Sequence, residues 1–103
     1  MLNCNYFNSD CVKFSDEYDG ELFDAVVTDP PYGIEYLGNS WDSYKNCVAF
    51  KEETWRSISK TLKPGGYLLI FGASKTFHRL TCAVEDSGLK IKDVLMWLYG
   101  QGM

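Results

Sequence analysis

The chain has little of what metal-binding, secreted and membrane proteins depend on. It has one histidine, His78, and its four cysteines (Cys4, Cys11, Cys47 and Cys82) form no C-x-x-C pair. Zinc binding is therefore not expected, and the thiols read as reduced, small apolar residues. No apolar run approaches the roughly 18 residues that a membrane span requires, and the opening MLNCNYFNSD has no basic stretch leading into an apolar one. A cytoplasmic protein is expected. Positive charge is scarce too: 10 Lys and Arg against 14 Asp and Glu leave a net charge of −4. That is too little cationic surface for this chain alone to grip phosphates tightly, so any basic clamp would have to be local or come from elsewhere. Repeats, linkers and low-complexity tracts are also missing, and 103 residues leave room for a single domain.

What is present is core material, with 46% of residues hydrophobic, arranged in alternating periods. Residues 3–7 (NCNYF) suggest a short strand. Residues 23–28 carry the continuous run Ala25-Val26-Val27, which predicts a strand covered on both faces. Over residues 50–62, Trp55, Ile58 and Leu62 recur at three- and four-residue steps, which predicts an amphipathic helix, ended by Lys63-Pro64-Gly65-Gly66. Residues 67–71 (YLLIF) read as a second strand. Ser74 is placed to cap a helix running to about residue 87, with Phe77, Leu80, Ala83 and Val84 on one face and Gly88 as its stop. Residues 89–98 begin in alternation and predict a third strand.

Strands alternating with helices predict an α/β fold, part of a doubly wound, mainly parallel sheet with flanking helices. In such sheets ligands sit beyond the carboxyl ends of the strands. Asp29-Pro30-Pro31-Tyr32, Gly72-Ala73-Ser74 and Tyr99-Gly100 all fall at those ends, so three loops are expected to share one rim. The segment 33–49, with Tyr36, Trp41 and Tyr44 among turn formers, has the length of a functional loop or lid.

The first of these loops has unusual chemistry. Asp29 and Pro30 each precede a proline and are pushed out of the helical region, while Pro30 and Pro31 have fixed φ and no N–H. The turn is therefore stiff and presents acceptors without competing donors, followed by the flat face of Tyr32. It suits an exocyclic amine on an aromatic ring: the Asp29 carboxylate and the Pro30 carbonyl accept one proton each, and the ring stacks on Tyr32. Two acceptors so placed favour a tetrahedral nitrogen whose lone pair is free to attack an electrophile.

The DPPY turn after an apolar strand resembles the catalytic motif of the amino-group DNA methyltransferases, which make N6-methyladenine or N4-methylcytosine. Three other segments extend the resemblance over nearly the whole chain. Asn8-Ser9-Asp10-Cys11 is similar to the family's Asn-Gly-Asp-Cys segment, with Ser9 where Gly is usual. Leu62-Lys63-Pro64-Gly65-Gly66 is similar to the turn before its next strand, and Met96-Trp97-Leu98-Tyr99-Gly100 to an aromatic strand end beside the target base. The resemblance implies a Rossmann-like fold and S-adenosyl-L-methionine as methyl donor, with double-stranded DNA as substrate. It assigns Asp29, Pro30 and Pro31 to the catalytic turn and Tyr32 to stacking on a flipped base. Asp10, and Asp29 again, would contact the cofactor. Trp97 or Tyr99 would wall the base pocket, and Trp41 would belong to a lid over it.

Adenine is preferred, because the motif begins with Asp where many cytosine enzymes have Ser. C5 methylation of cytosine is disfavoured, since Pro31 is followed by Tyr32 and not by a nucleophilic Cys. The family's Phe-x-Gly-x-Gly cofactor loop and a basic target-recognition region are not found. Gly100-Gln101-Gly102 follows a strand and does not open a helix, so it fails the context for such a loop. In the permuted order that places the catalytic half first, the chain is expected to continue past Met103 into those parts. The competing reading is a non-catalytic remnant, or a subunit that needs a complementary second chain. Residue by residue there are plainer alternatives: Asp10 in an ordinary turn, Tyr32 at a sheet edge, Trp97 in the core.

Overall fold

The two apolar runs become strands. The structure, a computed structural model, describes residues 3–101, so Gly102 and Met103 lie outside the described residues. Phe23–Thr28 forms β1 and Leu62–Ile70 forms β2, and the two pair in parallel with Ala25 opposite Tyr67 and Thr28 opposite Ile70. Both strands therefore end at the same rim, and the Phe71 N–H continues the ladder by donating to the Thr28 carbonyl at 3.1 Å. Three helices accompany them: α1 (Cys11–Glu17), α2 (Glu52–Ser59) and α3 (Phe77–Asp86).

Each helix ends for a local reason. Asp10 caps α1, its Oδ2 accepting from the Val12 and Lys13 amides at 3.1 and 3.0 Å. The helix expected over 50–62 is shorter, because Phe50 ends a 3-10 turn and the Thr61 hydroxyl takes the Ile58 carbonyl at 2.8 Å. Leu62 then already belongs to β2. Ser74 is not a cap: α3 starts at Phe77 with Thr76 in the N-cap position and no side-chain cap bond. The reason is that the Thr76 hydroxyl donates instead to the Tyr32 carbonyl, at 2.5 Å. Gly88, at φ 105, stops α3 as expected.

Lys63-Pro64-Gly65-Gly66 does not precede the second strand but bulges within it. Phe23 faces Leu62 and Ala25 faces Tyr67, so these four residues stand opposite Asp24 alone. A Cβ at Gly66 would come within 2.9 Å of the Asp24 carbonyl oxygen, so the close approach requires glycine. Lys63 Nζ seals the bulge against Asp24 Oδ1 at 2.9 Å.

Val26, Leu68 and Ile70 point from one face of the sheet onto a core of Trp55 and Ile58 from α2, Leu80, Ala83 and Val84 from α3, and Cys47 and Ala49 from the connection. The alternate residues Ala25, Val27, Tyr67 and Leu69 are exposed, Val27 by 66% and Tyr67 by 61%. The expectation of a strand covered on both faces is thus corrected, since only one face is packed among the described residues. The α/β class and the parallel pairing are observed. The doubly wound arrangement is not reached with two strands.

Neither residues 3–7 nor residues 89–98 form a strand, since they make no ladder hydrogen bonds among the described residues. Leu89 and Ile91 still pack against the core. Residues 94–99 stand out from it, with Leu95 and Met96 exposed by 81% and 83%. No helix among the described residues is long and apolar enough to cross a membrane, and none of their His, Cys, Asp and Glu side chains cluster as a metal site would.

Candidate active site

The sheet rim is built from the end of β1 outward. Asp29 follows Thr28 directly and is exposed, while Pro30, Pro31 and Tyr32 are half-buried. Two side chains from other elements tie down the turn. Cys47 Sγ donates to the Pro31 carbonyl at 3.2 Å, and Thr76 Oγ1 to the Tyr32 carbonyl. Among the described residues none donates to the Pro30 carbonyl. Cys47 is buried, and burial pushes its thiol pKa up, so it stays protonated as the donor this contact needs.

One donor does compete at the turn, contrary to expectation. The Tyr32 hydroxyl donates to Asp29 Oδ1 at 2.5 Å. That hydrogen bond, then partial burial, then the charges of Asp29 and Tyr99, push the Tyr32 hydroxyl up from 10.0 to about 12. A tyrosine whose folded value is raised contributes stability that is complete below its unfolded value of about 10 and is lost as pH rises toward 12. In a ¹³C-tyrosine NMR titration, Tyr32 is expected to remain protonated at about pH 11, where exposed tyrosines have ionised. In Asp29→Ala it should titrate with them, and a Tyr32 that already titrates normally in the wild type would rule this bond out.

The other expected site residues are placed unevenly around this turn. Phe71, bonded to Thr28 across the ladder, carries the Trp97 ring edge-on at 5.4 Å, which brings Trp97 to the same rim. Trp97 is 69% exposed and so is not a core residue. Tyr99, also exposed, lies near enough for its charge to act on Tyr32. Trp41 is half-exposed on a 3-10 turn spanning Ser40–Asp42 in the connection. Asp10 caps α1, the helix that packs on α2, through its Oδ2 alone.

One residue was not singled out in the sequence. Asp42 is 2% exposed and accepts from the Gly33 and Tyr36 amides, Oδ1 and Oδ2 respectively, each at 2.8 Å. Burial works to raise its pKa, yet the amides of Tyr36, Gly33, Ile34 and Tyr32 outweigh that and hold the carboxyl below its usual value. The available signal was the position of an acid inside a turn-rich loop, where Asp commonly binds nearby amides.

Residues 23–103 match the family model described as DNA methylase. Among curated relatives, the Type II methyltransferase M.HindIII of Haemophilus influenzae is 25% identical over 134 residues, covering 94% of this chain and 43% of that protein. The Type II methyltransferase M.HpaI of Haemophilus parainfluenzae is 26% identical over 99 residues, covering 92% of this chain and 32% of that protein. The chain therefore spans less than half the length of these relatives. No solved structure matches it. A family match that starts at the first residue of β1, carries the Asp-Pro-Pro-Tyr turn and runs to residue 103 establishes that this chain belongs to the N6/N4 DNA methylase family.

Proposed function

We propose that the chain is the catalytic half of an amino-group DNA methyltransferase acting on a base flipped from double-stranded DNA, with adenine N6 as the preferred target. The observation that carries this reading is the pair of acceptors at the rim, the Pro30 carbonyl with no donor among the described residues and the exposed Asp29 carboxylate, beside the Tyr32 ring. Together they hold the two protons of an exocyclic amine and draw its lone pair out of conjugation with the ring. The Tyr32 hydroxyl occupies one Asp29 oxygen, so the amine either uses the other oxygen or displaces that hydroxyl. Tyr32 then offers its ring face to the base, and Trp97 or Tyr99 closes the pocket from the segment beyond the core.

S-adenosylmethionine, when bound, supplies a methyl group activated by a sulfonium. The residues present fit it in part. The exposed Asp29 carboxylate suits its cationic end, whereas Asp10 has one oxygen committed to capping α1. The remaining contacts, and the cations needed to grip DNA at a net charge of −4, are assigned to chain beyond these residues or to a partner.

A second reading, a subunit that is inactive alone, is favoured by the exposed sheet face of Val27, Tyr67 and Leu69. Calorimetric titration of the chain with S-adenosylmethionine, followed by transfer of a labelled methyl group to DNA, separates the two. Saturable micromolar binding with transfer supports the catalytic reading for the chain alone. Absence of heat at millimolar ligand overturns it, and transfer regained on adding a chain that carries a Gly-rich cofactor loop supports the subunit.

A further inference from the structure

We infer that Asp42 is a positioning residue for this site: its buried carboxylate fixes the backbone of residues 33–36 and thereby the direction in which Tyr32 and Asp29 face the amine. The inference rests on the reading of the turn as the amine-binding site, and its physical basis is local. The segment after Tyr32 is not one the chain would adopt unaided. Gly33 sits at φ 73, and the non-glycine residues Glu35 and Leu37 sit at φ 56 and 53, in the left-handed region that costs free energy for any residue with a Cβ. What holds it is residue 42. Both carboxylate oxygens are engaged, one by Gly33 and one by Tyr36, and the Asp42 carbonyl accepts from the Glu35 amide at 2.8 Å. Three hydrogen bonds thus tie one residue to the three nearly successive positions 33, 35 and 36.

The carboxylate has no Lys or Arg partner among the described residues, so backbone amides alone compensate a charge that is 98% buried. An ionised carboxylate is acceptor-only, and this site requires that. Asparagine has the same shape but would turn its NH2 toward one of the two amides. Gly33 follows Tyr32 directly, and a Cβ there would strike the Phe50 ring at 2.5 Å. Any relaxation of the amides therefore moves Gly33 against a packed ring on one side or drags Tyr32 on the other. The Cys47 and Thr76 contacts hold the carbonyls of the turn, and Asp42 holds the amides that follow it.

The test uses the whole chain as wild type, Asp42→Asn and Asp42→Ala. Hydrogen exchange in the wild type comes first: the Gly33 and Tyr36 amides are expected to be protected, and exchange at open-loop rates would overturn the inference without any variant. In Asp42→Asn, misplacement of the turn by about an ångström should lower kcat for methyl transfer to DNA roughly 10²-fold while KM for DNA stays within about twofold. A variant that keeps its kcat, or loses kcat only in proportion to the folded fraction, overturns it. If the wild-type chain transfers no methyl group either alone or with an added chain that carries the Gly-rich cofactor loop, it is the amine-site reading that fails, and Tyr32 then decides the positioning role alone. In Asp42→Asn its hydroxyl should fall from about 12 toward the ordinary value as the bond to Asp29 is lost, and an unchanged Tyr32 titration overturns the role.

Discussion

Replacing Asp29 with alanine is expected to lower methyl transfer by roughly 10²–10³-fold, the cost of losing one preorganised polar group that acts on the reacting centre. The unfolding free energy should stay within about 0.5 kcal/mol of wild type. The two expectations belong together because Asp29 is exposed and its side-chain contact within the chain is the Tyr32 hydroxyl. Its removal leaves no buried group without a partner, so the fold loses little, whereas the amine loses one of two acceptors. Asp29→Asn should be impaired as well, since one of its two side-chain positions now presents a donor to a substrate that needs acceptors. Rates compared in the same complex, with urea unfolding as control, check both arms. A variant retaining wild-type rate would show that Asp29 does not hold the amine.

Trp55→Ala is expected to cost about 3–5 kcal/mol, a large share of the roughly 5–15 kcal/mol that such a domain has in total. Trp55 is 1% exposed and lies where α2, α3 and the connection meet. Its indole N–H also donates to the Ala49 carbonyl at 2.8 Å, so truncation both opens a cavity and leaves an acceptor unpaired in the core. The effect should reach the rim. Ala49 lies two residues from Cys47, whose Sγ holds the Pro31 carbonyl, so a collapsed connection loosens the DPPY turn. Urea denaturation at constant m-value measures the first effect and the Tyr32 titration reports the second. A loss below about 1.5 kcal/mol, the size of a volume-conserving swap, would mean that the core does not centre on this residue.

The strands and the turn could be read from sequence because their causes are local. The short apolar runs at residues 25–27 and 67–71 carry their strand signal within a few residues, and two prolines in succession stiffen a turn through their own rings. Asp10 shows how one pattern can serve two purposes, since a Ser-Asp pair before a helical segment caps it by the same acceptor chemistry that a cofactor contact would use. Residues 89–98 show the limit of pattern reading, because alternation predicts a strand but a strand needs ladder partners, and these residues make no ladder bonds among the described residues.

By itself, then, the sequence determined a parallel α/β unit with an acid, two prolines and an aromatic ring at a strand end, because each follows from dihedral limits and hydrophobic period within a few residues. Only the tertiary structure decided which acceptors remain open. It placed the Tyr32 hydroxyl on Asp29, left the Pro30 carbonyl without a donor among the described residues, and brought Asp42 under the loop from nine residues beyond Gly33. Those outcomes depend on which donors meet which acceptors across the fold, and a hydrogen bond within about 3 Å is set by packing between elements that no local pattern encodes.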